Sequence, residues 1–334
     1  MPNAPAPLIA VERGGIREAT HAGQLAAVDA GGRVHYQLGD PEVVTYFRSC
    51  AKPFQTIASL RAEIVPRYEL TPEHIALMSA SHNGEPRHLV IVRELLAHAG
   101  LEEGTLQCGA HWPYYEPAAA AARREMAEPI AVFNNCSGKH AGMLAATRSS
   151  GAPLERYLEP DQPVQRQVRA TVAEFAGVHP EEIRWGIDGC SAPNAAVPLR
   201  AMARAFATLV TSADAYARAV VDAMTGDPYL IGGTDRFDTA LMEVTAGRLL
   251  AKGGAAGAHC TADRRSGQGL AVKLDSGDGT WTAVAVMAAL SQLGWLEPAE
   301  AASLSRYARP ALRNVRGLEV GTVRPLLPDL VTGV

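Results

Sequence analysis

The segment Arg48-Ser49-Cys50-Ala51-Lys52-Pro53 lies where the chain changes from strands to helix. Short apolar runs and glycine-rich turns before it predict two or three antiparallel strands within the first 50 residues. After it, Phe54, Ile57 and Leu60 recur at helical spacing. A serine and a lysine three residues apart on a helix share one face, and a buried lysine of lowered pKa can take the proton of a serine hydroxyl. The same spacing also fits an N-cap serine beside a solvated lysine.

Two further segments place polar groups at turns. Ser81-His82-Asn83 follows an apolar run, and Lys252-Gly253-Gly254 lies by a predicted strand, where glycine lets a ligand approach the backbone. Each segment alone is also typical of a loop or turn. In chain order, S-x-x-K, S-x-N and K-G-G resemble the three motifs of the penicillin-recognising serine enzymes. The resemblance implies that Ser49 pairs with Lys52. It likewise implies that Ser81 pairs with Lys252.

The order of elements along the chain predicts an α+β fold. Residues 1–50 and 245–334 are rich in predicted strands, whereas 51–244 are largely helical. We therefore expect one catalytic unit over 1–334, in which an antiparallel sheet is built from both chain ends and a helical subdomain is inserted between them. This order suits the fold of serine β-lactamases and glutaminases.

Local patterns predict some elements within this frame. Thr71 and Pro72 are typical of a helix start. Residues 270–274 and 280–289 predict a β-hairpin around a glycine-rich turn, and 295–308 predict a closing helix.

Composition and charge exclude several classes of protein. Among 334 residues, 31 Lys and Arg stand against 35 Asp and Glu, so the net charge is −4 and no large basic surface for nucleic acid is expected. No apolar run reaches the ~18 residues of a membrane span, and the first seven residues lack the features of an export signal. The five cysteines do not suggest a disulfide framework. We expect a cytoplasmic protein without nucleic-acid or membrane partners.

Two cysteines have unusual surroundings. Cys136 and Cys190 each lie among small and polar residues, and Lys139 and His140 are close to the first. Two thiolates and a third ligand can hold Zn²⁺ and leave one position open. Buried packing cysteines or a catalytic thiol would fit the same segments.

Taken together, the chain resembles the Rhizobium-type L-asparaginases, also called class 3 or asparaginase II-like, over nearly its full length. The segments that carry the resemblance are Arg48-Ser49-Cys50-Ala51-Lys52-Pro53, Ala80-Ser81-His82, Asn135-Cys136-Ser137-Gly138-Lys139-His140-Ala141-Gly142-Met143 and Trp185-Gly186-Ile187-Asp188-Gly189-Cys190. The resemblance implies a β-lactamase-like fold, hydrolysis of L-asparagine to L-aspartate and ammonia, and a homodimer.

The same resemblance implies a zinc site. Its ligands would be Cys136, Lys139 and Cys190, with Asp188 in contact with a metal-bound water. Lysine is an unusual metal ligand, and spacing alone would favour His140. The zinc would position the α-amino and α-carboxylate groups of the substrate. The residues expected beside the substrate are Arg48, His82, Asp188 and His140.

The expected mechanism is acyl transfer through a serine ester. Ser49 would attack the side-chain amide with Lys52 as general base. Ser81 and Lys252 would relay the proton to the leaving ammonia, and Ser81 is the rival nucleophile. Two other classes stay open at this point. One is a related serine acyl hydrolase, such as a glutaminase or a β-lactam-recognising enzyme. The other is a non-enzymatic module that binds zinc or an amino acid.

Overall fold

The computed structural model describes residues 4–328. The strands are β1 (Ala6–Arg13), β2 (Ile16–Asp29), β3 (Val34–Leu38), β4 (Val44–Tyr46), β5 (Arg184–Ile187), β6 (Pro193–Pro198), β7 (Leu249–Gly253), β8 (Ala258–Asp263), β9 (Gln268–Leu274), β10 (Ala311–Arg313) and β11 (Glu319–Pro325). The helices are α1 (Lys52–Leu60), α2 (Ile64–Tyr68), α3 (Pro72–Met78), α4 (Pro86–His98), α5 (Glu116–Glu125), α6 (Ser137–Ser149), α7 (Pro163–Ala176), α8 (Leu199–Thr211), α9 (Ala215–Gly226), α10 (Pro228–Ile231), α11 (Phe237–Val244), α12 (Thr282–Gln292), α13 (Pro298–Ser303) and α14 (Ser305–Ala308).

The larger sheet is antiparallel and takes strands from both ends of the chain. Its strand order is β10-β11-β1-β2-β9-β8-β7, and β3 also pairs with β2. β1 pairs with β11, and β2 pairs with β9, so the first and last segments of the described chain lie side by side. The predicted α+β class, with a sheet built from both chain ends and helices between them, is confirmed.

The sequence does not predict the smaller sheet, whose order is β4-β6-β5. β5 and β6 lie within 51–244, the part expected to be largely helical. They are four and six residues long, and such short apolar runs carry little periodic signal. The loop between these two strands carries Asp188 and Cys190, so this sheet helps to build the site.

The hairpin predicted from 270–274 and 280–289 is wrong. β9 does end at Leu274, but the second segment forms the 11-residue helix α12. The hairpin partner of β9 is β8, which precedes it. An alanine-rich apolar run of this length is typical of a buried helix, because alanine has the highest helix propensity and strands are usually shorter. The closing helix predicted over 295–308 divides into α13 and α14.

Helix α1 lies in the centre of the helical part and is buried at all nine residues. The Phe54 ring packs against Phe175 of α7 and Phe206 of α8, at centroid distances of 5.5 and 5.6 Å. Since packed interiors leave little freedom, α1 holds Lys52, its first residue, in place. Helix α8 in turn lies close to the sheet, where a Cβ added to Gly269 would stand 2.1 Å from the carbonyl oxygen of Ala203.

The remaining sequence predictions have mixed outcomes. Thr71 caps α3 and Pro72 opens it, as predicted. Within residues 4–328, no helix is long and apolar enough to cross a membrane. The expectation about an export signal falls partly on residues 1–3, which lie outside the described residues.

Candidate active site

Ser49 sits in a short 3₁₀ turn between the smaller sheet and α1. The backbone N–H of Phe47 donates to the carbonyl oxygen of Ala195 in β6, at 2.9 Å. Arg48 then adopts a left-handed conformation with φ 51°. A non-glycine residue there is strained, and such strain is typical of functional sites. The turn leaves Ser49 half-buried on a cavity wall.

Lys52 is fully buried and reaches Ser81. Its Nζ lies 2.9 Å from Ser81 Oγ, and it donates to the carbonyl oxygens of Ala80 at 2.5 Å and Asn135 at 3.2 Å. Burial lowers the pKa of Lys52. A neutral amine has two N–H donors and one lone pair. In that neutral form the two N–H groups would donate to the carbonyl oxygens, which only accept, and the lone pair would face the Ser81 hydroxyl.

Lys252 of β7 reaches the same hydroxyl from the other side. Its Nζ lies 2.8 Å from Ser81 Oγ and 2.8 Å from the carbonyl oxygen of Gly253, and Asp238 Oδ2 is 3.8 Å away. Burial lowers the pKa of Lys252 to about 8, although the Asp238 charge opposes this. The predicted contact between Ser81 and Lys252 is present.

The two lysines lie too close together for both to carry a charge without cost. Two ammonium groups within hydrogen-bonding distance of one oxygen would repel each other strongly in a buried site. Against the effect of burial, the Asp238 charge raises the pKa of Lys252 and the Cys136 charge raises the pKa of Lys52. We propose that Lys252, whose Nζ lies 3.8 Å from Asp238 Oδ2, is the protonated lysine and Lys52 the neutral one.

Ser49 and Lys52, the predicted pair, are not hydrogen-bonded to each other. Within residues 4–328, Ser49 Oγ makes no hydrogen bond, and Lys52 contacts Ser81 instead. The Nζ of Lys52 is taken up instead by Ser81 Oγ and by the carbonyl oxygens of Ala80 and Asn135. The Ser49 hydroxyl is left free to meet a ligand.

Two adjoining cavities meet at Ser49. The larger, which we call the lysine cavity, has a volume of about 460 Å³. The smaller, which we call the cysteine cavity, has a volume of about 200 Å³. Ser49, Tyr114, Asn135 and Ala255 line both. The lysine cavity is also lined by Ser81, Arg236, Phe237, Asp238, His259 and Tyr307. The cysteine cavity is also lined by Arg48, His111, Asn134, Cys136, Asp188 and Cys190.

Close packing of α6 on α3 brings the cysteine cavity next to Ser81. A Cβ added to Gly138 would lie 2.3 Å from the carbonyl oxygen of Leu77, so only glycine allows this approach. Cys136 immediately precedes α6, and Lys139 is in its first turn. On the opposite wall, Arg48 Nε donates to Asp188 Oδ1 at 2.8 Å. The predicted zinc ligands and the serine–lysine groups thus belong to one site.

The two thiols and Lys139 form a buried polar cluster. Lys139 Nζ donates to Cys190 Sγ at 2.8 Å. A hydrogen bond with Cys190 lowers the pKa of Cys136 well below its usual value, against the effect of burial. Burial alone would lower the pKa of Lys139, but the charges of Cys190 and Cys136 outweigh it and raise that pKa. The cluster therefore favours a thiolate held by a lysine cation.

Two cysteine sulfurs are ligands that Zn²⁺ prefers, whereas the amine of Lys139 would have to lose its proton to bind the metal. The His140 Nε2 atom beside the cluster is buried and lacks a hydrogen-bond partner within the described chain. No group of three His, Cys, Asp or Glu side chains in residues 4–328 is arranged to hold a metal. Lys139, whose Nζ lies 2.8 Å from Cys190 Sγ, is the third ligand that the family resemblance implies.

His82 and His140 lie behind the cavities rather than on their walls. His82 is fully buried, its Nδ1 accepts from the Gly84 N–H at 3.1 Å, and its Nε2 donates to Ser137 Oγ at 3.0 Å. His140 Nδ1 is bonded to the Tyr157 hydroxyl at 2.6 Å, and burial lowers the pKa of His140 to about 4. Neither imidazole lines one of the two cavities, and the predicted contact of each with substrate stays a prediction. Both orient neighbouring groups.

The sequence did not point to three residues of the lysine cavity. Asp238 accepts from the Gly253 N–H at 2.6 Å and pairs with His259 Nε2 at 3.0 Å. Burial would raise the pKa of Asp238, but His259 and Lys252 outweigh it and lower that pKa. Arg236 lies on the same wall. None belongs to a recognisable motif, so only the fold brings them to Lys252.

Comparison with known proteins identifies the family. The model of the L-asparaginase II family matches residues 9–325. The chain therefore belongs to the L-asparaginase II family, a family of amidohydrolases, and the resemblance seen in the sequence is confirmed.

Other comparisons give distant likenesses. Comparison with curated proteins gives no significant match. Among solved structures, a β-lactamase from Mycobacterium bovis is 18% identical, with 86% of this chain and 95% of that chain covered, at a TM-score of 0.42. A simvastatin synthase variant from Aspergillus terreus is 13% identical, with 75% and 86% covered, at a TM-score of 0.38.

Proposed function

We propose that this protein hydrolyses the side-chain amide of L-asparagine to give L-aspartate and ammonia. The observation that carries the proposal is the Ser81 hydroxyl held between Lys52 Nζ at 2.9 Å and Lys252 Nζ at 2.8 Å, in a cavity that the free Ser49 hydroxyl also lines. Membership of the L-asparaginase II family supports the choice of substrate.

Ser49 is the proposed nucleophile, because its hydroxyl is half-exposed and lies where the two cavities meet. Its oxygen bonds to the amide carbon, and its proton passes to the neutral amine of Lys52 once that amine turns its lone pair from Ser81 toward Ser49. Hydrogen bonds of this kind are often long in a free enzyme and shorten when substrate binds. Lys52 then returns the proton through Ser81 to the leaving nitrogen, the C–N bond breaks, and ammonia departs.

Water completes the reaction by attacking the β-aspartyl ester on Ser49. The products are aspartate and the free serine. The charged Lys252 holds Ser81 as a hydrogen-bond donor toward the leaving nitrogen. The substrate's α-amino and α-carboxylate groups fit the cysteine cavity, where Asp188 and Arg48 offer opposite charges.

A zinc ion is proposed for this cavity, held by Cys136, Lys139 and Cys190. When bound, it would supply a positive charge that orients the substrate's α-groups. Arg48 and Asp188 would contact the same groups. The serine–lysine groups carry the bond-breaking steps in this proposal.

We also propose a homodimer in a reducing compartment such as the cytoplasm. The family resemblance supports the dimer. All five cysteines are buried free thiols, which suits a reducing environment. Light scattering of the purified protein tests the dimer, and a monomer at micromolar concentration would exclude it.

The test of the proposed activity is ammonia release from L-asparagine by the purified protein and two serine variants. Ser81→Ala should reduce kcat by at least about a hundredfold, because proton transfer contributes 10²–10⁴-fold. The control is Ser79→Ala, which removes another buried hydroxyl two residues away that bonds Thr56. Absence of ammonia release by the wild type, or equal rates in both variants, would overturn the proposal.

A further inference from the structure

The lysine cavity is far larger than the leaving group of asparagine. Its volume is about 460 Å³, whereas ammonia, a molecule the size of water, needs only about 15–30 Å³. Ser81, the residue proposed to protonate the leaving nitrogen, lines this cavity and not the cysteine cavity. A substituent on that nitrogen would therefore extend into the lysine cavity.

One wall of this cavity carries an unpaired cation. Arg236 is half-buried, and its Nη1 donates to Asn83 Oδ1 at 3.1 Å. Within residues 4–328 its guanidinium forms no ion pair. The carboxylates nearest in sequence are engaged elsewhere, Asp235 with Arg306 at 2.9 Å and Asp238 with His259. A partly desolvated guanidinium without an anion is well suited to bind a carboxylate of a ligand.

The rest of that wall is aromatic. The Phe237 ring lies 5.2 Å from the Tyr307 ring and 5.3 Å from the His259 ring, centroid to centroid. The Tyr307 hydroxyl donates to the carbonyl oxygen of Asp235 at 3.2 Å, so its ring is held in place. Burial of an apolar or aromatic side chain of a ligand against this surface would make the free energy of binding more favourable. The cation suits the carboxylate of an amino acid, and the rings suit its side chain.

We propose that the enzyme also hydrolyses β-aspartyl dipeptides, in which the side-chain nitrogen of asparagine is the α-nitrogen of a second amino acid. Arg236 would bind the carboxylate of that leaving amino acid, and the aromatic wall its side chain. This inference rests on the proposed function and extends its substrate class.

The chemistry is that of the proposed amide hydrolysis. Ser49 oxygen bonds to the β-carbonyl carbon, the C–N bond breaks, and Ser81 supplies the proton that the leaving nitrogen needs. The free amino acid then departs in place of ammonia. Water hydrolyses the β-aspartyl ester on Ser49 to aspartate and the free hydroxyl.

The experiment compares β-aspartyl-phenylalanine with its C-terminal amide, by release of phenylalanine or phenylalanine amide. The wild type should release both and prefer the acid in kcat/KM by about 10- to 100-fold, as expected for a charged hydrogen bond. Arg236→Gln keeps a hydrogen-bond donor but loses the charge, so this preference should disappear, mainly through KM. The matched control is Arg265→Gln, an exposed arginine paired with Glu297, which should keep the preference.

The outcomes separate this inference from the proposed function. Ammonia release from asparagine without phenylalanine release would overturn the inference alone. Equal fold losses for asparagine and the acid dipeptide in Arg236→Gln would also overturn it, because Arg236 would then serve asparagine itself. No hydrolysis of either substrate by the wild type would overturn both. Hydrolysis of the dipeptide alone would support the inference and refute asparagine as the substrate.

Discussion

Replacing Asp238 with asparagine should move the alkaline limit of activity to lower pH. The carboxylate lies 3.8 Å from Lys252 Nζ. At an effective dielectric constant of about 20, two unit charges at that distance attract by roughly 4 kcal/mol. Even a third of this attraction energy would shift the pKa of Lys252 by about one unit. The asparagine side chain would retain an acceptor oxygen but no charge, so the pKa of Lys252 should fall from its present value of about 8.

The sign follows from the role of Lys252 as a cation. Activity requires its protonated form and is lost as pH rises through its pKa. A drop of one unit would reduce the protonated share at pH 8 from about a half to about a tenth, a loss of about fivefold. Near pH 6, where Lys252 is charged in both proteins, the two rates should differ much less.

The assay is kcat/KM for asparagine between pH 5 and pH 10 in the wild type and Asp238→Asn. The control is Asp263→Asn, which removes a buried carboxylate on β8, in the sheet that also carries Lys252, where it is paired with Arg248. Asp263→Asn should alter the stability of the fold but leave the alkaline limb of the pH profile unchanged. An unchanged alkaline limb in Asp238→Asn, with a native circular dichroism spectrum, would refute the charge assignment of the two lysines.

Three further predictions concern the base, the substrate and the metal. Lys52→Arg should lower kcat at least about a hundredfold, because a guanidinium stays protonated and cannot accept a proton; a variant with more than a tenth of wild-type kcat would remove Lys52 as the base. Glutamine, one methylene longer, should be turned over about 10- to 200-fold less efficiently in kcat/KM, and equal efficiency would favour a glutaminase. Metal analysis should find zinc in the wild type and none in the double variant Cys136→Ala/Cys190→Ala, which should also bind asparagine more weakly but retain reduced turnover. Wild-type protein without zinc, or loss of all turnover on gentle chelation, would contradict this.

Much of the fold could be predicted because it depends on order and local pattern. The chain starts with strands joined by glycine-rich turns, continues with helices and ends with strands. This order implies a sheet that is built from both chain ends. The prediction for residues 282–292 is wrong because the periodicity of an apolar run is the same for a buried strand and a buried helix. The length and alanine content of the run favour the helix that the structure shows.

The site shows the same division between local motifs and tertiary contacts. The contact of Ser81 with Lys252 followed from two motifs, although 171 residues separate them. The partner of Lys52 could not be read from a three-residue spacing, because Ser81 reaches Lys52 only in the folded chain. Asp238 and Arg236 belong to no motif, so their approach to the lysines exists only in the folded chain.

The central claim is that Ser49 forms an ester with the aspartyl group during asparagine hydrolysis. The most direct measurement is mass spectrometry of peptides from enzyme quenched in acid during turnover. We predict an aspartyl adduct on the peptide that contains Ser49, which is absent in Ser49→Ala. An adduct on the Ser81 peptide, or full turnover by Ser49→Ala, would contradict the account and assign the nucleophile elsewhere.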